Sequence, residues 1–441
     1  MLRLAWPIVL AELGWQTMGI ADTIVVGRLP DSAESIAAVS LGTIVFYTIG
    51  IFGSGLLLGL DTLVSQAFGA ADSVDGHRSI VNALYLTLPL SLVLMAILLG
   101  LLPLLGAIGE RPEVMRLMMP YLTTLTWSIL PLLLYFALRR YLQAINLVHP
   151  VMFALISANL INLLGNVMLV FGKWGAPAMG VAGSAWATVI SRIYMVGVLG
   201  IVFVVHQRPG RDWPWKPNLA RMAHLLRLGL PAGSQILLET GLFAVAAALI
   251  GRLDSASLAA HQIALNAAAF TFMVTLGIGS AAAVRVGQAL GRKDTRAAAH
   301  AGWMALILGV GFMACAAAVF WTFPSYLARI YTPDPRVIQI SVSLLFIAGI
   351  FQIFDGTQIV LAGALRGAGD THTPMFSHLF GYWFIGLPLG YYLCFLRHWG
   401  AVGIWTGMCA GLIVIGSILL ALWWARVNRW RREAIILAAA Q

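Results

Sequence analysis

Long apolar runs alternate with short polar breaks along the whole chain. A helix that crosses a bilayer needs about 20 mostly apolar residues. Runs of that kind recur near residues 4–27, 36–68, 79–109, 114–138, 150–171, 180–205, 229–251, 258–284, 298–323, 337–362, 375–396 and 400–425. Proline- and glycine-rich breaks such as Pro30, Pro112, Gly172 to Pro177, Pro333 and Pro335 separate several of them. The pattern predicts an all-α membrane protein with twelve transmembrane helices. Lys and Arg concentrate in alternate loops, most densely His206 to Arg227, Arg285 to Arg296 and Arg426 to Arg432. The positive-inside rule then puts both termini in the cytoplasm. The first run starts almost at Met1 and is longer than a signal-peptide core, so it reads as a retained span.

The pattern also repeats. Leu2-Arg3-Leu4 with Pro7 echoes Leu226-Arg227-Leu228 with Pro231, and Gly27-Arg28-Leu29 echoes Gly251-Arg252-Leu253. Gln66-Ala67-Phe68-Gly69 with Asp72 echoes Gln288-Ala289-Leu290-Gly291 with Asp294, and Pro150 echoes Pro374. Six spans per copy is an even number. Both copies therefore enter the membrane in the same orientation, related by a pseudo-two-fold axis along the membrane normal. The expected division is a six-helix bundle over 1–205, a cytoplasmic linker over 206–227 stiffened by Pro209, Pro214 and Pro217, a second bundle over 228–425, and a cytoplasmic tail over 426–441.

Composition agrees with the pattern. Of 441 residues, 60% are hydrophobic and 10% charged, against about 25% charged in soluble domains. The 45 glycines suit membrane helices, which pack through small residues. The net charge of +10 resides in the loops, with no polar segment interleaving basic and aromatic residues, so a nucleic-acid partner is not expected. Cys315, Cys394 and Cys409 lie in apolar runs without metal or disulfide spacing. No phosphate-cradling loop, nucleophile elbow or zinc-protease motif is present, and His261, His300, His372 and His378 lack metal-ligand spacing, so an enzyme is not expected.

Ionisable side chains inside the apolar runs remain. A carboxylate at mid-membrane costs about 2.5–3.5 kcal/mol on insertion scales, so each is a functional candidate by default. Glu239 and Asp355 lie deep in their runs, where a carboxyl can take up a proton or a sodium ion. Asp22 sits near one end of the first span, Glu12 lies deeper on the face of Gln16 and Gly19, and Asp61 is nearer an end of the second. Arg192 reads as the one basic residue within a span. Asn162 and Asn166, spaced i and i+4, share a face of the fifth span, as interhelical hydrogen-bond partners or as oxygen ligands beside a carboxylate. Trp15, Phe243, Phe270, Phe272, Phe351 and Phe354 are candidates to line an apolar pocket, with ordinary packing as the alternative.

These residues fall into motifs that resemble the MATE family (multidrug and toxic compound extrusion), in its NorM-like branch. Ala21-Asp22-Thr23 is similar to the first-span aspartate motif. Leu228-Gly229-Leu230-Pro231 followed by Glu239-Thr240-Gly241-Leu242-Phe243 resembles the seventh span with its glutamate. Ala260-His261-Gln262-Ile263-Ala264-Leu265-Asn266 resembles the eighth-span signature. Phe354-Asp355 with Gln358, then Leu365-Arg366-Gly367-Ala368-Gly369-Asp370-Thr371, resembles the tenth span and its following turn. The resemblance covers essentially the whole chain. It implies two bundles forming a V-shaped cleft in the bacterial inner membrane. It also implies export of cationic or polyaromatic drugs in exchange for Na⁺ or H⁺ by alternating access, in a monomer without a further cofactor. It makes Glu239 and Asp355 the coupling carboxylates of the second bundle, with Na⁺ as one candidate occupant, and Asp22 the corresponding acid of the first. Asn162, Asn166, Gln262, Gln358, Phe243 and Phe351 are candidate ligands or cavity lining, as is Glu12 by its helical face alone, since Glu12 and Asp61 fall outside the family's pattern. Phe351 stands where NorM-like proteins can carry a tyrosine, which removes one oxygen ligand. The rival reading is a flippase for a lipid-linked precursor from the same broad superfamily, which should show more spans and a cation-rich cleft.

Overall fold

A computed structural model describes residues 1–105, 112–208 and 213–439; Pro209 lies outside them. The described residues are helical, without a β-strand. The helices are α1 (Leu2–Val26), α2 (Ser32–Leu56), α3 (Gly59–Gly69), α4 (Ser73–Leu105), α5 (Pro112–Thr126), α6 (Ile129–Ala144), α7 (Val148–Phe171), α8 (Val181–Gln207), α9 (Leu219–Gly251), α10 (Ser255–Gly291), α11 (Thr295–Thr322), α12 (Pro324–Tyr331), α13 (Pro335–Gly367), α14 (His372–His378), α15 (Leu387–Tyr391) and α16 (Ala401–Ala439). Two π-helical stretches, Leu379–Gly386 and Tyr392–Leu396, flank α15 and make one span of 372–396.

Among the described residues, ten helical segments are long and apolar enough to cross a membrane, and α5 with α6 forms an eleventh, bent by 46° at Trp127 and Ser128. The remaining expected span is α1. Its 25 residues reach about 37 Å at 1.5 Å per residue, but Glu12, Gln16 and Asp22 dilute its apolar character. All twelve expected spans are thus helical over their described residues; 106–109 of the third lie outside these. The surface matches: Leu92, Ile201, Ile307 and Phe384 are more than 60% exposed, an arrangement that only an apolar solvent favours. The protein is a multi-pass membrane protein.

Local signals set several ends. Asp254, Asp294 and Asp334 each cap a helix by accepting a backbone N–H, from Ser257, Ala297 and Arg336 respectively. Pro335 follows Asp334 at the first helical position. Gly172, with φ of 69°, closes α7 in the left-handed conformation that a Cβ would strain.

The structure departs from the sequence reading in four places. The expected linker 206–227 is partly helical, because α9 begins at Leu219. The tail after residue 425 continues α16 to Ala439. The short α12 was not expected. Arg192 is not the one basic side chain within a span, since Arg139 and Arg140 are buried in α6, just past the expected end of the fourth run.

The chain divides into two compact units. One comprises Leu10–Val64 with Asp72–Gly233, and the other comprises Met1–Val9, Ser65–Ala71 and Ser234–Gln441. In the first, a continuous core of buried side chains, including Phe46, Leu60, Leu133, Tyr135 and Leu155, fills the space between helices. In the second, α13 is central and packs against α10, α11 and α16. The crossing of α10 with α13 has no room for side chains. A Cβ on Gly363 would lie 2.1 Å from the carbonyl oxygen of Gly279, so the two backbones touch directly. That crossing fixes the depth and rotation of Asp355 and Gln358 one to two turns away.

Candidate functional site

Each unit holds one acidic cluster, and each was partly expected. In the first unit Asp22 is 7% exposed. Its Oδ1 accepts a hydrogen bond from the Asn166 amide at 2.7 Å, and its Oδ2 accepts one from the Thr188 hydroxyl at 3.1 Å. Asn166 also donates to Asn162 Oδ1 at 3.1 Å, and Asn162 donates to Thr188 at 3.4 Å. Asn162 and Asn166 sit one turn apart on α7, Thr188 on α8 and Asp22 on α1, so three helices close one polar ring. Thr188 was not singled out in the sequence. Its signal was weak, because a lone threonine in a membrane helix ordinarily returns its hydroxyl to its own backbone.

One turn further along α8 is Arg192, 2% exposed. It donates to Ser128 at the α5–α6 bend, and its guanidinium lies 4.7 Å from the ring centre of Phe46 and 6.0 Å from that of Trp15. Glu12 is paired elsewhere, with buried Arg139 of α6. Asp61 faces Arg140 at 3.6 Å. The structure therefore gives Glu12 an ion-pair partner in α6. Two carboxylates and two guanidiniums neutralise one another inside this unit, which is how buried charges are ordinarily tolerated.

In the second unit Glu239 comes from α9 and Asp355 and Gln358 from α13. The Gln358 amide donates to Glu239 Oε1 and to Asp355 Oδ1, at 3.2 Å each. One amide group thus holds two carboxylates. Asp355 is 3% exposed and Gln358 fully buried. The Gln352 amide reaches Thr271 of α10, adding a polar tie at the same face of α13.

A histidine outside every motif completes the cluster. His378, fully buried at the end of α14, places Nε2 3.9 Å from Glu239 Oε2. Its Nδ1 donates to the Pro374 carbonyl at 2.8 Å, and the Gln235 amide approaches Nε2 at 3.5 Å. Tyr382, one turn on, meets the imidazole edge-on, with ring centres 5.6 Å apart. The π-helical stretch that follows His378 is held on α16 by glycines, where a Cβ on Gly411 would come 2.4 Å from the Gly381 carbonyl oxygen. Trp383 also donates its indole N–H to the Leu238 carbonyl, beside Glu239, at 3.1 Å. The available sequence signal for His378 was its place in an apolar run, since polar side chains at membrane depth are costly whether or not they carry charge.

Phe243 and Phe351 come together edge to face at 6.2 Å, and Phe351 also meets Trp405 at 6.0 Å. Gln262 is exposed on α10 and joins neither cluster among the described hydrogen bonds, while its neighbour His261 accepts from the Trp405 indole at 3.1 Å. Phe270, 62% exposed, is on the outside. Among the described residues, no three His, Cys, Asp or Glu side chains converge with metal-holding geometry.

The chain is similar to proteins of known kind over nearly its whole length. It is 36% identical to a probable multidrug resistance protein NorM of Brucella suis, over 96% of this chain and 92% of that one. It is 35% identical to the multidrug resistance protein PmpM of Pseudomonas aeruginosa, over 97% of this chain and 91% of that one. In fold it matches a crystal structure of MATE in the bent conformation with a TM-score of 0.89 at 19% identity, covering 98% of this chain and 96% of that one. The MatE family model matches twice, over residues 7–168 and again over 231–392, the same interval at which the sequence echoes itself. The chain belongs to the MatE family.

Proposed function

We propose that this protein exports cationic or polyaromatic small molecules across the bacterial inner membrane by alternating access, in exchange for H⁺ or Na⁺. The reading that it moves drugs draws on the names of its relatives, both called multidrug resistance proteins. The reading that it is cation-coupled rests on one observation. Glu239 and Asp355 share a single amide donor, Gln358, so together they present more negative charge than the protein itself satisfies. Such a pair holds a cationic substrate or a coupling cation in turn, and occupancy by one weakens the hold on the other. Asp22 serves as the corresponding acid of the first unit.

The energetics suffice. One charge entering across 100 mV yields about 2.3 kcal/mol, and one pH unit yields about 1.4 kcal/mol. Where the exchange carries one net charge inward, they support roughly several-hundredfold accumulation against a gradient; one-for-one exchange with a monovalent cation retains only the pH term, about tenfold.

The test is efflux of ethidium from vesicles holding the full chain, with Na⁺ and pH gradients imposed separately. Asp355→Asn and Glu239→Gln should each lower gradient-driven efflux by about tenfold or more. Wild-type export by both neutral variants would sink the assignment.

A further inference from the structure

We propose that the coupling cation of the second unit is a proton, and that it is held between Glu239 Oε2 and His378 Nε2. The inference rests on the reading of Glu239 as a coupling carboxylate and goes one step further, to what the site takes and which side chain shares it.

The imidazole's hydrogen bonds set its tautomer. The Pro374 carbonyl can only accept, so the contact at 2.8 Å fixes the proton of neutral His378 on Nδ1. Nε2 then carries a lone pair, which the Gln235 amide N–H meets only at 3.5 Å, a long contact that a closer donor displaces. That lone pair faces a carboxylate oxygen 3.9 Å away. Two acceptors face each other there, too far apart for a hydrogen bond and close enough that a small side-chain rotation joins them. One added proton turns the opposed acceptors into a donor and an acceptor. On Glu239, the O–H donates to Nε2. When the Oε2–H bond breaks and the Nε2–H bond forms, the product is a carboxylate beside an imidazolium. The pair carries the same total charge either way, so the proton can move without any other group changing.

The surroundings favour this occupant. The groups that face His378 are Glu239 from α9, Asp355 behind the Gln358 bridge on α13, Gln235 from α9 and Tyr382 from its own span, with Cys409 of α16 close to Tyr382. Among the described residues no Lys or Arg pairs with Glu239 or Asp355, so no fixed positive charge opposes the proton. A nitrogen lone pair is a poor ligand for a hard cation that takes oxygen donors, and a good seat for a proton. The π-helical stretch after His378 is a local irregularity of the type that gathers at functional positions.

The experiment uses the full chain in liposomes with ethidium as the probe, for the wild type, His378→Gln and His378→Ala. Wild-type efflux should follow a pH gradient and ignore a sodium gradient. His378→Gln keeps a hydrogen-bonding side chain in the same space but cannot carry a proton. It should bind ethidium in detergent within about twofold of the wild type, yet lose about tenfold or more of pH-driven efflux. The pH optimum of the remaining efflux should move by about one unit. His378→Gln that transports like the wild type with an unchanged pH profile would show the imidazole to be structural and overturn the inference, while leaving Glu239 and Asp355 in place. Sodium-driven efflux by the wild type would overturn it as well. If His378→Ala fails to bind ethidium, the Gln variant alone decides. If neither gradient drives the wild type, this inference falls together with the broader reading, an outcome separable from the others because it precedes any substitution.

Discussion

The two acidic clusters differ in what they lack. Asp22 has a separate donor for each oxygen, Asn166 for one and Thr188 for the other, so its charge is met by the protein. Glu239 and Asp355 divide one amide between them and face a histidine lone pair. The first cluster is rich in donors and the second in acceptors. Copies of one repeat have therefore become unequal in their demand for positive charge. Asp22 exchanges its charge against two donors of its own, while the Glu239 and Asp355 pair is left with the larger unmet demand for positive charge. The neighbouring ion pairs sharpen the contrast: Glu12 and Asp61 of the first unit each face an arginine of α6, and neither Glu239 nor Asp355 faces one among the described residues.

Removing a donor from the first unit should make it resemble the second, at a cost to folding. Arg139→Met leaves Glu12 buried and unpaired, and should destabilise the protein by about 3–5 kcal/mol, seen as a lower thermal midpoint in detergent. The double change with Glu12→Gln should restore most of that loss. Gln358→Leu deprives the acceptor-rich pair of its shared amide. Hydrogen bonds to charged groups are worth about 1.5–3 kcal/mol each, so ethidium efflux should fall by about tenfold or more, with a smaller change in thermal midpoint than Arg139→Met gives. Thr188→Val takes one of two donors from Asp22. Asn166 remains, so the expected cost is about 1 kcal/mol, read again as thermal midpoint. If Thr188→Val proves as harmful as Gln358→Leu, the clusters are not unequal in the way described.

Much of this arrangement was legible in the sequence because the bilayer imposes strict rules. Twelve apolar runs became twelve helical crossings, and the echo between Pro7 and Pro231 became the starts of two matched segments. Asp355 and Gln358 were legible as parts of one motif, and the structure joins them directly, with the Gln358 amide bridging on to Glu239. What was not legible depended on contacts between distant segments. Arg139 and Arg140 looked like residues beyond the end of a span, since only the 46° bend at Trp127 and Ser128 brings α6 into the core. His378 carried no motif. Its placement depends on the wide turn after it and on glycine packing against α16, neither of which leaves a periodic trace.

The polar content of α1 bears on how the chain is assembled. Glu12 finds its partner 127 residues later, and Asp22 finds its donors 144 and 166 residues later. At about 5–20 residues per second of synthesis, α1 leaves the ribosome roughly 10–30 s before those partners exist. During that interval two carboxylates have no protein group to meet them. α1 is therefore made well before its partners, and its burial is completed by helices that follow it.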